Sequence, residues 1–465
     1  MSRLMTAASL TLLATLLSPP LALSQADSVT LSSDSVLDAS ALHLPGARWN
    51  TTVNGMAFQQ PALISHLGHQ YATWWDSERR LCVGRRELPT SSWEVIRFDD
   101  YRIRSDDTHN VTVVGICPDD GTIHLAFDHH NSPLHYRVSK TGAATEPESH
   151  AWTRELFGPV VDQLRPDEPI RRLTYPRFIQ SPSGGLQMCF RLGASGGGDW
   201  YWVDYDTASG WGPHRMLISS KGDYAGSTSR CAYLNGFTYG PDGRLHLSWC
   251  WRETGDPMTN HDLHHVFSDD EGRSWLGSLG SVATLDRAPL SIDSQGVRFA
   301  RIDMYRGLTN STTQAVDGSG RLHIVALHLP SEEPSQIDWA QSRKKSRYHH
   351  YWRGEDGTWN VNPLPECGTR PQLVIGPKDR ATLVFTGDRY FPDQRDLVVF
   401  AADAAEQWSN WHRVRMVPGP FTGQPQVDRT RTPDVLSVYI QEYPSDLEAS
   451  SSALRVLDFD LRGSD

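Results

Sequence analysis

Short strand-like runs joined by turns recur along the 465-residue chain. That recurrence predicts an all-β fold, a seven-bladed β-propeller in a single domain. Three observations carry the expectation. Aromatic residues are abundant (16 Trp, 15 Tyr, 14 Phe), and Gly and Pro number 37 and 29, which suits many short strands and tight turns. A unit of turn, strand, gap and second strand, often followed by a Trp, repeats. The turn glycines Gly121, Gly185, Gly243 and Gly320 stand roughly 60–80 residues apart, the length of a four-stranded sheet with insertions. No run has the length and period of a long amphipathic helix. A pair of two-sheet sandwiches is the alternative, but it leaves the recurrence unexplained.

Residues 28–44 alternate like an edge strand. The last unit is short, so this segment is expected to complete it and close the ring. The first unit spans 69–98, with YATWWD, RLCVGRREL and SSWEVIRF. The second spans 106–140 and reads as strands over 111–116, 122–127 and 134–139, with a turn at Pro118-Asp119-Asp120-Gly121. Further units begin near Tyr175, Gly243, Gly320, Pro377 and Pro433.

The formal charge of −11 and a pI near 5.9 argue against a nucleic-acid or anionic-membrane partner. An acidic substrate remains compatible, because a basic pocket can sit on an acidic protein. Arg3, the apolar stretch 8–17 and Ala22-Leu23-Ser24 form a secretory signal over residues 1–24. The expected product is a secreted, extracellular, monomeric catalytic domain over 25–465. Six cysteines (Cys82, Cys117, Cys189, Cys231, Cys250, Cys367) lack CxxC spacing, so no zinc ribbon is expected. Several lie in strand-like runs and read as buried thiols. Sequons begin at Asn50, Asn110 and Asn310. Asn110 adjoins a candidate site residue and is expected to carry no glycan.

Reactive groups on connecting segments are the candidates for chemistry. His109 precedes one strand, and His129 and His130 follow another. A strand continued through the pair points one of them at the rim and the other at a neighbouring sheet. Tyr175, Arg191 before a glycine run, Arg252 and His261 complete the set. His124, His246 and His323 recur at one position in three units (IHL, LHL, LHI) and read as scaffold. No phosphate loop and no G-x-S-x-G elbow is present. No EF-hand loop or acidic cluster assigns metal ligands.

Ser268-x-Asp270-x-Gly272-x-x-Trp275 is an Asp-box, a structural turn found in sialidase-like propellers. With THN, FDHHNSPLHYRVS, TYPRF, FRLGASGGG, WCWRET and NHDLHH, the chain resembles the BNR-repeat-like β-propeller polysaccharide lyases that act on uronates. Among them it is most similar to the fungal L-rhamnose-α-1,4-D-glucuronate lyases. The resemblance implies β-elimination at terminal rhamnosyl-glucuronate of gum arabic and arabinogalactan side chains, releasing rhamnose and leaving an unsaturated uronate. It implies His129 as acid and base, with His109 assisting. It implies Arg191 on the uronate carboxylate and Tyr175 as a hydrogen-bond donor or alternative acid; His130 in place of His129 shifts the roles by one residue. Arg252 and His261 are candidates for substrate contact. No organic cofactor is implied, and a structural calcium ion in the channel is compatible. A rhamnosidase on the same linkage and a non-catalytic carbohydrate-binding propeller are the alternatives.

Overall fold

Antiparallel meanders follow one another along the chain in the computed structural model. The structure describes residues 29–462 except 48–49, 91, 286, 336, 388–389, 391–393 and 447. The expected signal segment, residues 1–24, lies outside the described residues.

Leu63–His66, His69–Trp75, Arg80–Glu87 and Glu94–Arg102 form the first four-stranded sheet. Thr112–Ile116, Ile123–Phe127 and Tyr136–Val138 form the next. A large sheet joins two meanders, one built on Leu173–Gln180, Leu186–Ala194 and Gly197–Asp206, the other on Cys231–Tyr239, Leu245–Arg252 and Asn260–Ser268. A single parallel pair, Gly198 with Cys231, links them. Two more four-stranded sheets start at Thr313–Val316 and Gln372–Ile375. In the last, Phe421–Asp428, Val435–Glu442 and Ser451–Asp460 are joined by Thr30–Leu42. That strand pairs antiparallel with Ser451–Asp460, from Thr30 opposite Asp460 to Leu42 opposite Ser451. The N-terminal segment thus joins the final sheet, as the shortness of the last unit predicts.

Sequence explains this layering. Thr112–Ile116 and Ile123–Phe127 are buried at every position. They read as largely apolar runs, interrupted by Thr112 and His124, because both faces are covered. Glu94–Arg102, an outer strand, alternates instead. The first strands of the meanders bring Ile64, Gly115, Arg177, Asn235, Gln314 and Gln426 onto one cavity of about 390 Å³. Helix is scarce among the described residues; Trp339–Lys345 is a short one, with Asp338 accepting from Gln341 N at 2.8 Å.

In the Asp-box, Asp270 Oδ1 accepts from Ser274 N at 2.8 Å, Ser268 Oγ accepts from Gly272 N at 2.7 Å, and Trp275 is fully buried. The recurring histidines tie adjacent strands: His124 to Tyr136 Oη at 2.6 Å, His246 to His265 at 3.1 Å, and His323 to His350 at 2.9 Å. All six cysteines are buried. The Asn110 side chain is buried and donates to the Asp128 carboxylate, which leaves its amide nitrogen inside the protein.

Candidate active site

His130 reaches its position because the backbone departs from strand geometry on both sides of it. Asp128 and Asn131 adopt φ of +62° and +61°. Such left-handed residues cost about 1–3 kcal/mol each. Asp128 compensates: its carboxylate accepts from Tyr101 Oη at 2.6 Å and from the Asn110 amide, and its carbonyl accepts from Ser132 Oγ at 2.8 Å. Hydrogen bonds to a charged acceptor contribute about 1.5–3 kcal/mol each, enough to hold the kink. The chain then leaves its own sheet. His130–Ser132 pairs with Leu173–Gln180 of the next meander, and Asn131 N donates to Thr174 Oγ1 at 2.7 Å.

This geometry puts His130, and not His129, on the cavity wall. His129, the expected catalytic residue, is only 2 % exposed and does not line the cavity. Its Nε2 accepts from His135 N at 2.8 Å and its ring stacks on His135 at 5.6 Å, so it ties the 129–135 turn together. Burial, with the nearby His135, holds its pKa far below the ordinary histidine value. His130, with a side chain 31 % exposed, takes the place on the cavity. The strand period says only that the two histidines point apart; the choice of His129 comes from the family resemblance, and the left-handed residues on either side set which ring meets the cavity.

Asp107 joins the two cavity histidines. One carboxylate oxygen lies 2.5 Å from His109 Nδ1 and the other 2.6 Å from His130 Nδ1. The rings stack at 4.2 Å, 14° from parallel. Burial alone raises the Asp107 pKa, but hydrogen bonds from both imidazoles outweigh it and hold the carboxyl well below its usual range. An ionised carboxylate only accepts, so each Nδ1 carries a proton and each Nε2 lies on the ring edge away from Asp107. Burial pushes His109 down to about 4 despite Asp107. His109 is therefore neutral near pH 7. Its ring also stacks on Phe58 at 4.9 Å, and the Arg370 guanidinium lies 4.9 Å from the Phe58 ring centroid.

Tyr175 also lines the cavity. Its φ is +56°, at a register shift between Thr174 and Arg177. Burial, reinforced by Tyr233, raises its pKa, so the hydroxyl remains a donor near neutrality. Arg191 departs from expectation: it is buried and absent from the cavity wall. Its guanidinium packs against the Tyr175 and Tyr233 rings at 4.9 and 5.5 Å. The glycine run explains the fit, since a Cβ on Gly198 would stand 2.9 Å from Arg191 Cδ. Arg191 packs beneath the two tyrosines, with Nε and Nη1 lacking a hydrogen-bond partner. Arg252 is on the wall, donating to Tyr233 Oη at 3.2 Å and Gly255 O at 2.5 Å. His261 is not on the wall. It is buried between Glu253 (3.0 Å) and Asp262 (3.4 Å) and stacks on Tyr224 at 4.0 Å.

The cavity measures about 490 Å³. Arg252, Arg343, Arg370 and Arg395 contribute to its wall, and no Asp or Glu does among the described residues. Arg370 Nε donates to Asn310 O at 2.7 Å, and Arg343 donates to Thr309 Oγ1 at 3.2 Å. Sequence reading missed Asp107, Tyr233, Arg343, Arg370 and Arg395. Asp107 had a local signal, standing two residues before His109. The distant arginines had none. Asp107, His109 and His130 place one ligand atom each within 4.8 Å of one another. One carboxylate and two imidazoles do not fit calcium, which takes six to eight oxygens.

An all-β protein of successive sheets, with a cationic cavity and a carboxylate-bridged histidine pair, is the class these features define. The chain belongs to the BNR repeat-containing family, whose sequence model matches residues 69–367. It is 25 % identical over 331 residues to an ulvan lyase, long isoform, of Pseudoalteromonas sp. (strain PLSV), covering 60 % of this chain and 32 % of that protein. It is 23 % identical over 315 residues to an ulvan lyase, long isoform, of Alteromonas sp. (strain LOR), covering 57 % and 31 %. The chain thus spans about a third of the length of these curated relatives. The fold is similar to that of the polysaccharide lyase Uly1, with a TM-score of 0.71, 17 % identity and coverage of 93 % of this chain and 99 % of that one. It is also similar to a PL25 ulvan lyase bound to -[GlcA(1-4)Rha3S]-, with a TM-score of 0.65, 13 % identity and coverage of 92 % and 95 %.

Proposed function

We propose that the protein is a polysaccharide lyase that cleaves a uronate-containing chain by β-elimination in the His109–His130 cavity. One observation carries the reading: four arginines and the histidine pair line a cavity with no carboxylate on its wall among the described residues. Such a wall favours an anionic sugar. The two-carboxylate design of ordinary glycoside hydrolases has no counterpart there, which counts against a rhamnosidase. The ulvan lyase relatives support the same reaction class.

The chemistry follows from the groups. Elimination removes the proton on C5 of the uronate and expels the oxygen on C4, leaving a C4=C5 double bond. Asp107 fixes the His130 Nδ1 proton, and the Nε2 lone pair takes the C5 proton. The resulting imidazolium returns a proton to the leaving oxygen, a dual role suited to an imidazole. Neutral His109 packs the ring in place without adding charge. Negative charge growing on the uronate carboxylate is met by Arg370 and Arg252. Tyr175 donates to the same region or serves as an alternative acid.

The substrate we propose is terminal L-rhamnose-α-1,4-D-glucuronate on gum arabic or arabinogalactan side chains, on the motifs quoted from the sequence. The proposed setting is extracellular, after removal of residues 1–24, with residues 25–465 forming a single monomeric seven-bladed propeller. Seven inner strands sharing a cavity and the Thr30–Leu42 pairing support that architecture. No organic cofactor enters the reaction. Incubation with gum arabic tests the function: free rhamnose with a new ultraviolet absorbance supports the lyase. Rhamnose without absorbance indicates hydrolysis, and binding without either product leaves a carbohydrate-binding protein.

A further inference from the structure

The cavity shared by the inner strands lacks the histidines and has its own charge pattern. Arg177 enters it from Leu173–Gln180 with only 2 % of its surface exposed. Its Nη2 donates to Phe58 O at 2.7 Å and Leu234 O at 3.2 Å, and its guanidinium lies 5.2 Å from the Trp200 ring. Nε and Nη1 have no hydrogen-bond partner. Arg429 enters from the end of Phe421–Asp428 and donates to Leu373 O at 2.7 Å, Gln372 Oε1 at 3.0 Å and Thr313 Oγ1 at 3.1 Å, all neutral acceptors.

Arg177 is a buried cation and Arg429 a partly buried one, and neither has an anionic partner among the described residues. Burial pushes both guanidinium groups down to about 10, and no carboxylate offsets that in either case. Asp428 is the acidic residue on the wall among the described residues. Its oxygens are taken by Ser65 Oγ at 2.5 Å, Gln70 Nε2 at 2.8 Å and Thr430 N at 3.0 Å. Buried charges are ordinarily paired, because an isolated one loses its hydration without compensation. Calcium does not fit here: it takes a shell of oxygens that includes carboxylates, and two guanidinium groups repel it.

We propose that the inner-strand cavity is an anion site, in which a small inorganic anion such as chloride takes the Nε–H and Nη1–H donors of Arg177. Arg429 supplies a second positive charge on the same wall. The volume of about 390 Å³ leaves room for hydrating water, including one that reaches the unpartnered Gln60 Oε1. Occupancy stabilises the folded state by mass action. The site is independent of the chemistry at the histidine cavity.

Bromide is the probe. Crystals of the whole protein grown in sodium bromide should show an anomalous bromine peak within hydrogen-bonding reach of Arg177 Nε or Nη1. Replacing sodium gluconate with sodium bromide at constant ionic strength should raise the thermal midpoint of the wild type. The rise should vanish in Arg177→Met. Sodium phosphate in a parallel arm distinguishes a halide site from an oxyanion site, and a rise with either supports an anion site if Arg177→Met abolishes it. Bromine peaks confined to the surface, or equal midpoint shifts in both proteins, overturn the proposal. If Arg177→Met fails to fold, the anomalous peak decides alone.

Discussion

The imidazole rings of His109 and His130 stack at 4.2 Å while each presents Nδ1 to a different oxygen of Asp107. One carboxylate therefore sets the tautomer of two histidines and aligns both rings in one plane-parallel pair. Asp107→Asn keeps the size but replaces one accepting oxygen with a donor. At least one imidazole must then rotate or change tautomer. The expected result is a fall in kcat of about 10²–10⁴-fold, the range general acid–base catalysis supplies. Circular dichroism should be unchanged. A variant with near-normal kcat contradicts the role of Asp107.

Stability should fall on acidification. Burial holds His109 at about 4, His124 at about 3, His246 at about 4 and His264 at about 3. An unfolded histidine takes its proton near pH 6.5, so between these values the unfolded chain binds more protons than the folded one. The sign is then fixed: stability is full above about pH 6.5 and drains away as pH falls toward 3–4. His261, whose pKa is raised by Asp262 and Glu253 against the opposing effect of burial, acts in the other direction. The four lowered groups outnumber it. Thermal midpoints measured from pH 7 to pH 4 should decline. A midpoint that rises over this window contradicts the assignment.

Arg370 should matter for the charge of the substrate rather than for its shape. A hydrogen bond to a charged group contributes about 1.5–3 kcal/mol. Arg370→Gln should therefore lower kcat/KM on a uronate polymer by about 10–100-fold. On a methyl-esterified polymer, the variant and the wild type should differ little. Equal losses on both substrates point to a packing role through Asn310 and Phe58 instead.

The all-β class of successive sheets was legible in the sequence because its units repeat, and each repeat restates the same turn and strand chemistry. The Asp-box and the scaffold histidines follow from local pattern, and the pairing of the N-terminal strand from the shortness of the last repeat. The site was legible in part. His109, Tyr175 and Arg252 reach the cavity wall, whereas Arg191 and His261 stop beneath or beside it. Local spacing places a residue on a strand or loop, but it does not say which layer of the cavity its side chain occupies. His129 illustrates the limit most clearly. The period-2 rule says only that neighbours point apart, and the left-handed Asp128 and Asn131 set which of His129 and His130 meets the cavity. Arg343, Arg370 and Arg395 arrive from remote turns of the chain, so only tertiary structure brings them to the histidines.

The comparison of His130→Ala with His129→Ala tests the central claim most directly. Both are assayed on gum arabic by the appearance of unsaturated uronate, with thermal midpoints recorded alongside. The account predicts that His130→Ala loses turnover by about 10³-fold or more with its midpoint little changed. It predicts that His129→Ala retains turnover while its midpoint falls, because the cap on the 129–135 turn is lost. An inactive, fully folded His129→Ala beside an active His130→Ala contradicts the account.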